Sequence, residues 1–118
     1  MAVKGWKTRV LRWKGSWSEP VLLEEEFVAY THVFVEDPRG NVSIVSMGWN
    51  DGDDAVWLFR EDESSGGWTG PDSLFPVEDL NSMGISAAFG PGGRLFVVYG
   101  RSGEDKISGD FYFLAKEL

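Results

Sequence analysis

The residues best equipped for chemistry in this chain stand five in a row, Asn50-Asp51-Gly52-Asp53-Asp54, with an indole beside them at Trp49. Clustered carboxylates are what a calcium ion requires. Read as an EF-hand loop from Asn50, however, the third position is Gly52 and the sixth is Ala55, so the spacing fails although Glu61 falls at the twelfth. An acidic, solvated loop is the ordinary alternative. Trp49, Asn50, Asp51 and Asp53 could also bind a saccharide, because sugars stack on aromatic rings and take hydrogen bonds from Asp and Asn. These four are the predicted ligand-binding residues. His32, the single histidine, has no Cys, Ser or His partner at a useful spacing and lies mid-strand among aromatics, which predicts a packed structural role. Neither Gly90-Pro91-Gly92-Gly93 nor Ser64-Ser65-Gly66-Gly67 has the spacing of a phosphate-cradling loop, and a chain without cysteine has no thiolate, disulfide or Cys-based metal chemistry. No catalytic residue, metal or cofactor is predicted, and the chain does not read as an enzyme.

Strands must position these residues. Short apolar runs rich in Val and Phe, separated by Gly, Pro and Asp turns, predict an all-β chain of nine strands. The order is a hairpin from Lys7 to Leu23, then strands at Ala29–Glu36, Asn41–Met47, Ala55–Arg60, Trp68–Leu74, Met83–Phe89 and Leu95–Tyr99, and a last one at Asp110–Lys116. The pattern repeats after about 50 residues. Pro38, Gly40, Ile44 and Val45 are echoed by Pro91, Gly93, Val97 and Val98, while Trp17, Pro20 and Leu23 are echoed by Trp68, Pro71 and Leu74. Asp110–Lys116 matches Asp54–Arg60, with Asp110 against Asp54. Trp17, Pro20, Gly40, Trp68, Pro71 and Gly93 are therefore read as structural anchors of the repeat. Strands such as Leu95–Tyr99 are apolar on both sides, which predicts sheets covered on both faces. Stacked units provide that cover, and a two-sheet sandwich is the rival.

The chain has 118 residues, enough for one domain. That domain, residues 1–118, reads as two repeats at roughly 7–54 and 55–116, circularly offset. A net charge of −8 opposes binding to nucleic acid or an anionic membrane, where Lys and Arg carry the affinity. No apolar run approaches the ~18 residues of a membrane span, and basic residues interrupt the N-terminal stretch, so a soluble chain without a signal peptide is expected. Compartment is left open.

The order of apolar strand, Ser/Gly turn, Trp-Ser/Thr-x-Pro, loop, strand, x-Pro-x-Gly turn and strand resembles the sialidase-like propeller repeats, in which an Asp-box turn precedes the Trp. Ser64–Thr69 looks like a degenerate form of that turn without the motif's Asp, and Lys14–Ser18 a more degenerate one. The hairpin at Phe89–Tyr99 is also similar to the repeats of small two-blade propeller lectins. The resemblance implies two four-stranded antiparallel blades in a ring completed by a homo-oligomer, and a non-catalytic, lectin-like module that binds carbohydrate. Nothing catalytic carries over, because Arg9, Arg12, Arg39, Arg60, Arg94 and Arg101 fall in no family motif. The alternative is a structural or protein-interaction propeller, or part of a larger one. It would have an acidic docking face for a basic protein, built by the loops holding Glu24 to Glu26, Asp51, Asp53, Asp54, Glu78, Asp79, Glu104 and Asp105.

Overall fold

The structure is a computed structural model and describes residues 7–62, 64–77, 82–102 and 109–118. Among these residues there is no α-helix. The chain forms nine antiparallel strands: β1 (Arg9–Val10), β2 (Val21–Leu22), β3 (Phe27–Glu36), β4 (Val42–Asn50), β5 (Asp53–Glu61), β6 (Trp68–Pro76), β7 (Ser82–Phe89), β8 (Arg94–Ser102) and β9 (Gly109–Glu117). They make a four-stranded sheet β3-β4-β5-β6, a three-stranded sheet β7-β8-β9 and the small hairpin β1-β2. All-β character is thus observed, but the two equal four-stranded units expected from the repeat are not. The residues that repeat β6, Trp17 to Leu23, pair with β1 at the other end of the chain, so β9 has no second neighbour among the described residues.

β4 and β5 are buried on both faces, and their alternation sorts two cores. Val45, Met47, Val56 and Leu58 face the second sheet and pack with Leu95, Val97 and Tyr99. Ile44, Ala55, Trp57 and Phe59 face the other way and pack with Phe27 and with Val10 and Leu23 of the hairpin. The first sheet is therefore the middle of three layers. Burying each such Leu, Ile or Phe contributes about 1.5–3 kcal/mol. That term holds the register, because a slip by one residue would send the side chains shaped for one core into the other.

Equivalent positions face the same way in each layer. Ile44 points back toward the hairpin, and Val97, its repeat counterpart, points back toward the first sheet. Val45 points forward into the shared core, while its counterpart Val98 points forward into solvent at 38% exposure. The layers stack head to tail. In a sandwich of two equivalent sheets the same faces would meet, so the sandwich rival is set aside.

The hairpin is a shortened copy of β5–β6. Val10 lies opposite Val21 as Leu58 lies opposite Asp72, and the Trp13–Trp17 bridge repeats the pairing of Glu61 with Trp68. The match of the last strand needs correction. Ile44 pairs with Phe59 and Val97 with Leu114, so Leu114 takes the place of Phe59, and β9 is one residue out of phase with the match expected from Asp110 and Asp54. Phe111 and Phe113 consequently face forward, away from the first sheet.

Candidate functional site

The Asp-rich stretch is a tight corner. β4 runs to Asn50, β5 starts at Asp53, and these two residues pair across a two-residue connection. Asp51 at φ 49° and Gly52 at φ 89° both take the left-handed conformation, the arrangement for which Asp-Gly is the preferred sequence. Trp49 and Asn50 are half-buried, while Asp51 and Asp53 are exposed. The four predicted ligand residues do stand together, on a hairpin turn rather than in a loop. Phe27 pairs with Asn50, and Val77 donates its N–H to the Asp54 carbonyl, so Glu24 to Glu26 lie at this same end of the first sheet. Glu78, Asp79, Glu104 and Asp105 lie outside the described residues. Among the described residues no three of His, Cys, Asp and Glu converge on a point where a metal ion could sit.

A cleft of about 500 Å³ opens at the opposite end, between the β3–β4 and β7–β8 turns, with Asp37, Arg39, Arg60, Phe89, Gly92 and Gly93 in its wall. Asp37 builds its floor: one carboxylate oxygen accepts the N–H groups of Arg39 and Asn41, each at 2.9 Å. Gly40 at φ 86° and Gly93 at φ 82° close the two turns, and a Cβ would be strained at either position. These two repeat anchors thus have the same backbone role, and they bring one cleft wall from each sheet. Arg39 and Arg60 are exposed, and neither guanidinium is ion-paired among the described residues. One Asp37 oxygen is engaged by its own turn, and the cleft offers two planar donors free of ion pairs among the described residues beside a half-buried phenyl ring at Phe89. Sequence reading missed this site because its residues come from β5, β7 and two turns in different sheets. The shared turn positions Pro38/Gly40 and Pro91/Gly93 were its one legible sign.

His32 is exposed on β3, not packed. An extra residue at Tyr30 breaks the pairing between Ala29 and Thr31 and reverses the facing of the residues after it, so Phe27 and Ala29 face the hairpin while Val33 and Val35 face the second sheet. His32 and Phe34 then lie on the hairpin side, beyond the reach of two short strands. Of the tryptophan anchors, Trp68 is half-buried beneath the Arg12 guanidinium, 5.5 Å from its ring centre, and Arg12 also pairs with Glu61. Trp17 is 66% exposed and meets Trp13 edge to face. The turn before Trp68 is organised by a residue outside the expected motif. The Asp62 carboxylate accepts the Ser64 and Ser65 hydroxyls, both at 2.8 Å, and these bonds hold its pKa below the usual carboxylate value. In comparisons with known proteins, no family model, no curated protein and no solved structure matches the chain.

Proposed function

We propose that the protein is a non-catalytic binding module of propeller-type stacked sheets, that its ligand is carbohydrate, and that it works as a homo-oligomer. The cleft between the two glycine turns carries this reading. It is open and preformed, and it pairs an aromatic wall with two uncommitted guanidinium groups, which form paired hydrogen bonds to hydroxyl or carboxylate oxygens. A saccharide bearing a carboxylate or sulfate suits that chemistry best. The propeller-type description rests on the head-to-tail layers, in which repeat-equivalent residues face the same way. A glycan array including uronic and sulfated sugars tests the ligand class. Binding lost in Arg39→Ala/Arg60→Ala and retained in Trp49→Ala assigns it to the cleft, the reverse assigns it to the β4–β5 corner, and no bound glycan refutes the reading.

A second reading rests on the gathering of Glu24, Glu25, Glu26, Asp51, Asp53 and Asp54 at one end of the first sheet. That face suits a basic protein, with attraction that weakens as salt rises. A protein partner whose affinity does not change between low and high salt would exclude it.

A further inference from the structure

The two outer layers of this chain are incomplete in complementary ways. Among the described residues the second sheet shows the first three strands of the four-stranded pattern without the fourth, and the N-terminal hairpin shows the last two without the first two. The free edge of β9 carries Phe111 at 78% and Phe113 at 64% exposure, and Val98 is bare beside them. At the other end of the stack Tyr30 and Phe34 are exposed at 58% and 57%, on a first-sheet face that the two-residue strands β1 and β2 leave partly open. A groove of about 500 Å³ runs there between Lys7, Arg9 and Tyr30, His32. A nine-residue strand edge that is apolar from Phe111 to Ala115, with no bulge along its pairing to β8, is a template for another strand.

We propose that β9 of one copy takes the Trp17–Leu23 segment of a second copy as its fourth strand, joining chains head to tail. This rests on the proposed self-association of the binding module and names its contact. The occupant follows from the repeat. Within the first sheet β5 is covered by β6, and the sequence that repeats β6 is Trp17–Leu23, which pairs with β1 over two residues only. The register follows too. Leu58 lies opposite Asp72 and Arg60 opposite Thr69. Carrying β5 onto β9 in the observed phase, and β6 onto the N-terminal segment, places Phe113 opposite Val21 and Ala115 opposite Ser18. The faces agree with this placement. In the hairpin Leu23 points forward onto the first sheet as its counterpart Leu74 points forward onto the second. A second copy that keeps β2 on its own first sheet therefore brings the bare forward face of the neighbour, with Phe96, Val98 and Phe113, against its open Tyr30, His32 and Phe34. β1 gives way to β9, exchanging a two-residue pairing for a longer one. The contact is heterologous, so each added copy presents a new free β9.

The chain has no cysteine of its own, so paired single substitutions report the register directly. Val21→Cys and Phe113→Cys proteins, one isotopically labelled, are mixed under mild oxidant, with Val21→Cys plus Phe111→Cys as the off-register control. Directly opposite positions meet disulfide geometry and positions two residues away do not, so the first mixture is expected to give at least about tenfold more mixed disulfide. Sedimentation of Phe113→Lys is the second measurement. The charge falls on an exposed position, so the monomer keeps its fold, and the dissociation constant is expected to rise about tenfold or more. Self-association that survives Phe113→Lys with no selective disulfide overturns this contact and leaves the oligomer standing. A monomer at about 100 μM, above the micromolar range of specific interfaces, overturns both, while the glycan array judges the ligand separately.

Discussion

β5 and β9 hold the same place in their sheets and are built from similar residues, Ala55-Val56-Trp57-Leu58-Phe59 and Phe111-Tyr112-Phe113-Leu114-Ala115. The first run is out of solvent along its whole length; the second is exposed except at Leu114. What separates them is company. β5 has a strand on each side and a layer on each face, whereas among the described residues β9 has β8 alone and packs on the core through Leu114. An aromatic strand is thus a requirement for cover rather than a guarantee of it, and strand propensity measures how well a residue fits its neighbours.

The largest test of that contrast compares Phe59→Ala with Phe113→Ala at a concentration low enough to keep the chain monomeric. Phe59 is fully buried and packs edge to face with Phe27 at 4.9 Å, so its truncation is expected to cost about 3–5 kcal/mol. Phe113 only stacks on Phe96, at 5.8 Å, and should cost less than about 1.5 kcal/mol. Equal losses in urea unfolding would break the comparison. The next test adds volume instead of removing it. A methyl group at Gly48 would strike the Val28 carbonyl oxygen and sit 2.9 Å from the Phe27 ring, so Gly48→Ala is expected to cost about 1–3 kcal/mol. Ala88→Val, on the uncovered face of β7, should stay within about 0.5 kcal/mol by the same measurement.

The smallest effect belongs to the β5–β6 turn, which has no counterpart in the second sheet among the described residues. Asp62 has a folded pKa below its ordinary 3.8 because Ser64 and Ser65 donate to its ionised form. Its contribution is therefore present above the unfolded value and is lost as pH falls through the folded one. A carboxyl titration followed by NMR should place its midpoint below 3.8, and Asp62→Asn should lower stability slightly at neutral pH, leave it unchanged below both pKa values, and so flatten the acid limb of the profile. A midpoint at or above the ordinary value would show that the two hydroxyls do not hold the turn.

Most of the strands were legible because they are short apolar runs bounded by Gly, Pro or Asp turns, as at Asp37–Gly40, Asp51–Gly52 and Gly90–Gly93. The equivalence of Gly40 with Gly93 was legible for the same local reason. Less legible were features decided by neighbours. The bulge at Tyr30 leaves no mark in a largely apolar run, yet it decides which way His32 points. The aromatic content of β9 invites a match to β5 by residue type, and only the pairing of Val97 with Leu114 reveals the true phase. The Asp51–Gly52 corner reads as a loop because its carboxylates draw attention away from a two-residue hairpin signal. Arg39, Arg60 and Phe89 are far apart in the chain, and no periodicity joins them before two sheets are stacked.

In both larger sheets every strand bonds to the strand next to it in the chain. The consequence is kinetic. Pairing sequence neighbours closes only short loops, and the shortest is the two-residue Asp51–Gly52 connection, which costs least in chain entropy. The β4–β5 hairpin, carrying side chains for both cores, is therefore expected to form first, on the scale of about 1–10 μs for a hairpin. By the same argument β3 and β6 are expected to add at its flanks and the second sheet to dock last, when a finished surface is ready to receive it.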